Sequence, residues 1–292
     1  MEFNEVFQTI EKGIREVYDS SRYREYLKTM SHFHAYSLNN CMLIFEQKPD
    51  ATLVAGYHTW RRRFGRHVKQ GEKGIRILAP VRKETGPETE EHEEIHFRTI
   101  PVFDISQTEG DPLPTYMNDT LDGTVSDYEA FLAQLKLVSP VPVVFEAGLS
   151  NAHGCYRDDQ GVIEIREGMT QLQTVKTLVH EIAHACLHSS SAGGETLSRE
   201  QKEIEAESIA YIICDHFGLD TGEYSFGYLA GYSSTRELPE LRASMERIRS
   251  ASDHLIRRIE SLRHPENTGI PAEELPSSRI EDILGHPSRF AA

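Results

Sequence analysis

The segment His180-Glu181-Ile182-Ala183-His184 places two histidines four positions apart, with a glutamate between them, inside an apolar helical pattern. Side chains four positions apart lie on the same face of a helix, so both imidazoles can bind one metal ion. Glu181 lies beside them, where it can take a proton from a water molecule. Apolar neighbours disfavour the alternative, a surface helix with solvated polar side chains. A helix over about 170–188 is predicted by the spacing of Leu172, Val175, Leu178, Val179, Ile182, Ala183 and Cys186.

A catalytic zinc site needs a third protein ligand and an open position for water. The next predicted helix, about 198–217, offers Glu203, Glu205 and Glu207. Glu203 precedes the apolar Ala206 and Ala210 by three and seven positions, so we expect it nearest to the buried face and assign it as the third ligand. Glu207, one turn on, is expected to accept a hydrogen bond from a ligating imidazole, or to be the ligand itself. Glu205 is expected to point further round the helix from the buried face. The alternative for two of the three glutamates is that they are solvated charges on the helix surface.

These residues predict a hydrolytic mechanism. His180, His184 and Glu203 would hold Zn²⁺, which lowers the pKa of a bound water. Glu181 would take that water's proton during attack on a peptide carbonyl and pass it to the leaving amine. His188 continues the same helix face and is expected to pack or to contact substrate, because a fourth ligand would close the site. A nearby tyrosine could stabilise the oxyanion, but the sequence does not choose among Tyr224, Tyr228 and Tyr232.

The remaining pattern predicts an α+β chain of two domains. The first 48 residues have helical periodicity with a break near Ser31, and a short helix covers GYHTWRRRF. The second half opens with a helix at about 127–137, and a charged amphipathic helix covers 238–263. The strands are expected near 66–68, 75–78, 95–105, 143–146, 154–157 and 162–165.

Composition shifts set the expected domain limits. Residues 110–123 are rich in Pro, Asp and Gly, and 84–94 is an acidic stretch that we interpret as a hairpin tip. We therefore predict a domain over 1–112, a linker over 113–125 and a second domain over 126–264. The proline-containing segment 265–292 is predicted to be a flexible tail.

Hydropathy, cysteine content and charge limit the classes of protein to which the chain can belong. No apolar run approaches the length of a bilayer helix, so no membrane association is expected. Four widely spaced cysteines argue against a disulfide framework and favour a cytoplasmic protein. The net charge of −15 argues against a general nucleic-acid binder, yet residues 1–105 are neutral, with 16 Lys/Arg and 16 Asp/Glu. Within them, 59–83 holds nine basic residues and one acidic residue, which is either a solvated face or a phosphate-binding patch.

Aromatic residues interleave with this basic stretch. Stacking platforms beside guanidinium groups are what an unstacked nucleic-acid strand needs. The alternative is that Trp60, the only tryptophan, is a core residue beside solvated arginines. We predict that the strand-binding residues are Tyr57, Trp60, Arg61, Arg62, Arg63, Arg66, Lys69 and Lys73.

HEIAHACLH followed by EIEAESIAY resembles the HExxH metallopeptidases of the ImmA/IrrE and ArdC groups. The stretch from YSLNNC to IRILAP is similar to the N-terminal domain of ArdC-type antirestriction proteins and their conjugative-element relatives. The resemblance covers roughly 32–105 and 150–235. It implies a single-stranded-DNA-binding domain fused to a zincin-like peptidase domain that acts on a protein or peptide. In zincins with a glutamate ligand, the third ligand opens an ExxxD-like pair, which matches Glu203 and Glu207.

Three functions follow as expectations. The first is a zinc metallopeptidase joined to a single-stranded-DNA-binding domain, with an antirestriction or mobile-element maintenance role. The second is a non-enzymatic DNA-binding antirestriction protein in which the metal only stabilises the fold. The third is an ImmA-like regulatory peptidase that cleaves a repressor. Glu181 beside an open ligand position favours catalysis, because structural zinc sites have four protein ligands.

Overall fold

The computed structural model of the chain describes residues 3–18, 22–82, 95–113, 125–149, 152–190, 197–219, 226 and 236–263. The chain divides into two units, Met1–Met117 and Asn118–Ala292. The predicted domain limits at 112, 125 and 264 remain predictions. The hairpin tip at 84–94, most of the linker and the tail at 265–292 lie outside the described residues.

Three helices form most of the core of the first unit. They are α1 (Phe3–Tyr18), α2 (Tyr23–His32) and α3 (Leu38–Gln47). Val6, Ile10 and Ile14 lie four positions apart on one face of α1 and are completely buried. At Gly13 an added Cβ would lie 2.6 Å from the sulfur of Met42 on α3, so the missing side chain permits close packing of these two helices.

Short strands and one more helix complete this unit. The helix is α4 (Tyr57–Arg63), and the strands are β1 (Val54–Ala55), β2 (Arg66–Val68), β3 (Ile75–Arg82), β4 (Ile95–Asp104) and β5 (Thr108–Gly110). One antiparallel sheet has the order β1-β4-β3, and β2 pairs with β5 in a second. In the long hairpin, Ile75 pairs with Val102 and Arg82 with Ile95.

Two amide side chains of α3 hydrogen bond to the outer edge of β3. The Asn40 amide donates to the carbonyl of Leu78 (2.9 Å) and accepts from its N–H (2.8 Å). Gln47, two turns later on α3, forms the same pair of bonds with the backbone of Arg76, at 2.9 and 2.8 Å. The helix therefore satisfies the edge groups that a further strand would otherwise occupy.

The second unit places helices against a three-stranded sheet. Its strands are β6 (Val143–Glu146), β7 (Gly154–Arg157) and β8 (Val162–Arg166), in the order β6-β8-β7. β6 runs parallel to β8, and β7 runs antiparallel to it. The helices are α5 (Val125–Val138), α6 (Gln171–Leu187), α7 (Arg199–His216) and α8 (Leu238–Arg263).

Helix α6 packs on β7 and β8, and α7 packs between α6 and α8. Hydroxyls at the N-caps begin both central helices: Thr170 accepts from Gln173 N on α6, and Ser198 accepts from Gln201 N on α7. Gly218 follows α7 with φ of +73°, a conformation that glycine adopts without strain. The predicted α+β fold with two domains is confirmed, and the predicted helices and strands within the described residues are present with small shifts at their ends.

Candidate metal centre

The two histidines of the motif lie on α6 with their Nε2 atoms 3.0 Å apart. The carboxylate of Glu203 on α7 approaches both rings, with Oε2 3.5 Å from His180 Nε2 and 3.7 Å from His184 Nε2. All three ligand atoms lie within 4.8 Å of one another. Two imidazole nitrogens and one carboxylate oxygen are a donor set typical of catalytic zinc, so these residues fit a metal ion.

Glu207 contacts the other nitrogen of the first histidine. Its Oε2 lies 3.3 Å from His180 Nδ1. When the His180 ring is neutral, a proton on Nδ1 that faces this carboxylate leaves Nε2 unprotonated and directed at the ligand cluster. Glu207 is therefore placed as an outer partner of His180, while Glu203 is the glutamate whose oxygen lies near both Nε2 atoms.

The second histidine has a different outer partner. His184 Nδ1 lies 3.0 Å from Nδ1 of His188, and His188 Nε2 lies 3.1 Å from Oε2 of Glu205. His188 thus contacts the side of the His184 ring opposite to the ligand cluster. It packs behind the site, and the expectation that it is not a fourth ligand stays a prediction.

Glu205 is the most buried of the three glutamates considered as ligands, so the expectation that it points further round the helix, away from the buried face, is wrong. Its side chain is 0% exposed, whereas that of Glu203 is 44% exposed. The burial argument for Glu203 is wrong for the same reason, although its oxygen does lie near the histidines. Helix α7 is covered by α6 on one side and α8 on the other, so no single stripe describes its buried surface.

Glu181 is anchored by the strand beside it. Its Oε2 accepts a hydrogen bond of 2.7 Å from the N–H of Tyr156 on β7, and the residue is 8% exposed. Gly154 permits this approach, because an added Cβ would lie 2.6 Å from Thr177 and 3.1 Å from Glu181 itself. The anchor thus fixes the orientation of the Glu181 carboxylate through one of its two oxygens.

Neighbouring groups shift the pKa values of the cluster. Burial opposes protonation of His180, but the carboxylates of Glu203 and Glu207 outweigh it and raise its pKa from 6.5 to about 9. Hydrogen bonds from His180 and His184 lower the pKa of Glu203. Burial lowers the pKa of His188 despite the contact with Glu205, whose own pKa is lowered, against its burial, by His188 and by Arg247 of α8.

The prediction that Trp60 offers a stacking surface is wrong. Its side chain is fully buried, with the indole Nε1 donating to the carbonyl of Phe103 at 2.8 Å and the ring 5.1 Å from that of Phe64. Trp60 is therefore a core residue: its large ring is buried, and its N–H links α4 to β4 through a hydrogen bond. No face of this indole is available to a nucleobase.

The other predicted DNA-binding residues lie at or near the surface of the first unit. Tyr57 is 47% exposed, at the start of α4. The Arg66 guanidinium is already hydrogen bonded within the unit, because it donates to Thr108 Oγ1 (2.9 Å) and to the carbonyl of Thr108 (3.1 Å). Lys69 donates to the carbonyl of Ser106 at 2.9 Å. Lys69 is nevertheless exposed, as are Arg61, Arg62, Arg63 and Lys73.

Sequence reasoning missed the residues that surround Glu205 and Glu181. Arg247 and Ser244 come from α8, and Tyr156 anchors Glu181 through its backbone. A usable signal was present: α7 has small or apolar residues around most of its circumference, which indicates two packing partners. The three tyrosines considered for the oxyanion, 224, 228 and 232, lie outside the described residues.

Comparison with known proteins finds two regions of the chain that match known families. Residues 3–107 match the N-terminal domain of anti-restriction factor ArdC, and residues 142–214 match the IrrE N-terminal-like domain of the M78 peptidases. The chain thus joins an ArdC-type N-terminal region to an IrrE-like region, and the resemblance predicted from the sequence is confirmed. Within the described residues, no helix combines the length and apolar character needed to cross a bilayer.

Individual proteins are similar to this chain in fold or in sequence. The metal-free structure of the antirestriction protein ArdC from the R388 plasmid superposes with a TM-score of 0.51 at 19% identity, over 78% of this chain and 84% of that one. The Mn(II)-bound structure gives 0.50 at 17% identity with the same coverage. An uncharacterized protein of Bacillus anthracis is 26% identical over 89% of this chain, which spans about half (51%) of that relative's length.

Proposed function

We propose that the chain is a metal-dependent peptidase joined to a domain that binds single-stranded DNA. The observation that carries the enzymatic part is the juxtaposition of His180, His184 and Glu203 with an oriented Glu181. Three protein ligands leave a position for water or substrate, and the 44% exposure of Glu203 supports an accessible centre. Both features favour catalysis over a metal that only stabilises the fold.

When bound, the metal ion polarises the substrate carbonyl and lowers the pKa of a water molecule. The chain's own residues then move the protons. Glu181, held by the N–H of Tyr156, takes a proton from the attacking water and delivers it to the leaving amine. Glu207 and His188 hold the two imidazoles in their orientation from behind.

We propose zinc as the physiological metal, because imidazole and carboxylate ligands in a three-residue site suit it. Manganese is the specific alternative, since the R388 relative has a Mn(II)-bound form. The test is hydrolysis of an unfolded protein by the chain loaded with each ion. We expect cleavage that stops on chelation and returns with the metal; cleavage that persists after complete chelation would contradict the proposal.

The DNA-binding part is supported by the match to the ArdC N-terminal domain and by the surface of α4. Arg61, Arg62 and Arg63 are exposed in its last turn, and Tyr57 presents a half-exposed ring one turn before Arg61. Guanidinium groups beside an exposed ring provide binding partners for phosphates and a stacking surface for a base. With Trp60 buried, we assign the stacking role to Tyr57.

In the full chain, Tyr57→Ala is expected to weaken binding to a labelled single-stranded oligonucleotide by roughly 1–3 kcal/mol, because one base loses its stacking partner. The measurement is fluorescence anisotropy at low salt. Replacement of Arg61, Arg62 and Arg63 by glutamine should also reduce the salt dependence, by about 0.7 in log–log slope for each phosphate that the protein no longer neutralises.

Phe7→Ala is the matched control, because Phe7 is an exposed aromatic (40%) on α1 of the same unit. The emission of Trp60, the only tryptophan, reports whether this unit stays folded in each variant. Affinity that is insensitive to salt, or equal in the Tyr57 and Phe7 variants, would refute the assignment and favour a protein partner.

The cellular role that we propose follows from both parts. An antirestriction or mobile-element maintenance role is supported by the matches to ArdC, and cleavage of a repressor remains the alternative substrate hypothesis. The wide spacing of the four cysteines along the chain supports a cytoplasmic location.

A further inference from the structure

We propose that His188 and Glu205 are positioning residues for the metal site: together they place the proton of His184 on Nδ1 and leave Nε2 free to bind the ion. We further propose that α8 holds this pair in place through Arg247. The inference rests on the metal site proposed above and extends it to residues that contact no ligand atom of the cluster.

Glu205 determines which group donates in the chain of hydrogen bonds that leads to His184. Its Oε1 accepts from Ser244 Oγ at 2.8 Å and from Arg247 Nη2 at 2.7 Å, and its Oε2 accepts from Arg247 Nε at 3.2 Å. A carboxylate that faces a guanidinium is ionised and can only accept. The contact of 3.1 Å between Oε2 and His188 Nε2 is therefore a hydrogen bond that the imidazole donates.

The next step follows from the chemistry of a neutral imidazole, in which one nitrogen donates and the other accepts. With Nε2 of His188 as the donor, its Nδ1 must accept. The group that faces it, at 3.0 Å, is Nδ1 of His184, which consequently carries a proton. The unprotonated nitrogen of His184 is then Nε2, the atom that lies 3.0 Å from His180 Nε2 and 3.7 Å from Glu203.

The two histidines of the motif thus receive their orientation in different ways. His180 faces the carboxylate of Glu207 directly, whereas His184 reaches a carboxylate through a second imidazole. The indirect arrangement is buried, with the His188 side chain 3% exposed and that of Glu205 0% exposed. Water therefore cannot replace His188 as the acceptor without a rearrangement of the packing.

Helix α8 takes part in this arrangement although it lies beyond the region matched to the IrrE-like domain, 142–214. Arg247 neutralises the buried carboxylate of Glu205, and Ser244 from the preceding turn adds a second donor. A buried carboxylate without such partners would be costly. The helix is therefore part of the structure that keeps His184 ready for metal.

The test compares His188→Asn with His188→Leu in the full chain. Asparagine places Oδ1 where Nδ1 of histidine was, so it can still accept from His184, whereas leucine has a similar shape and no acceptor. Zinc affinity is measured by competition with a chromophoric chelator. We expect His188→Leu to bind zinc about 10–100-fold more weakly, and His188→Asn to stay within roughly fivefold of the parent.

A second readout is independent of metal. In the metal-free chain labelled with ¹⁵N-histidine, the nitrogen chemical shifts of His184 should show protonated Nδ1 in the parent and in His188→Asn. In His188→Leu they should show a mixture of the two tautomers. Leu255→Ala is the control, because it removes buried apolar packing on α8 eight residues after Arg247 and should lower the melting temperature without changing zinc affinity.

Equal zinc affinity of His188→Leu and the parent would overturn the inference, as would an equal loss in the asparagine and leucine variants. A parent chain that binds no zinc would refute the proposed metal site instead. Even then, a His184 ring with protonated Nε2 in the metal-free parent would separately refute the positioning role.

Discussion

Glu181→Gln is expected to lower the rate of peptide hydrolysis by about 10²–10⁴-fold while the metal content stays at the parent level. An amide cannot take a proton from water at neutral pH, so the base is lost. The anchor survives, because the amide oxygen can still accept the hydrogen bond from the N–H of Tyr156. The rate is measured on an unfolded protein substrate, and the bound metal by elemental analysis of the same preparation.

Glu164→Gln is the matched control for this substitution. Glu164 lies on β8 of the same unit, pairs with Arg157 at 3.0 Å and contacts no residue of the ligand cluster in the described structure. The same change from carboxylate to amide should leave hydrolysis intact there, because a partly exposed ion pair contributes little. Loss of metal from Glu181→Gln would show that this carboxylate supports the site instead of serving as its base.

The second large effect is expected from the ligands. His184→Ala and Glu203→Ala should each reduce metal affinity by more than the roughly 10–100-fold that loss of an outer hydrogen-bond partner costs. When metal affinity is lost, the stabilisation of the fold by added metal should also be lost, since a metal that binds only the folded state stabilises that state. Thermal melting with and without zinc measures this directly: the parent should show a rise in Tm, and the two variants little or none.

Glu207→Ala separates the two roles of the glutamates on α7. If Glu207 is an outer partner of His180, its loss should weaken metal binding less than the loss of Glu203 does. Retention of tight metal in Glu203→Ala, with loss in Glu207→Ala, would transfer the ligand assignment to Glu207. Glu205 does not compete for this role, because Arg247 and Ser244 already occupy its carboxylate.

The local elements are predictable because each depends on short-range periodicity. The apolar stripe of α6 and the residues at its N-cap define that helix, and the histidine spacing then brings two imidazoles together without any knowledge of the fold. Glu203 does lie near both imidazoles, but for a reason other than the burial predicted for it. Its proximity comes from the packing of α7 on α6, which the sequence of α7 alone does not encode.

Residues whose environment depends on distant parts of the chain escape this kind of prediction. Glu205 is buried because α8, which begins 33 residues later, supplies Arg247 and Ser244. The prediction for Trp60 is wrong because the basic residues beside it dominate the local composition. Its burial depends on β4, whose Phe103 accepts the indole N–H across 43 positions. In both cases a polar atom finds its partner through tertiary packing, and spacing along one element cannot report that.

The amide pairs on β3 limit how copies of this protein can associate. Outward-facing positions alternate along a strand, so Arg76 and Leu78 are followed at the same edge by Pro80, which has no N–H. Gln47 and Asn40 occupy the first two positions, and proline leaves the third without a donor. A foreign strand that approaches from this side meets three successive positions at which it cannot form a regular ladder. Along 76–80, the edge of β3 is thereby protected from the intermolecular pairing that leads to aggregation.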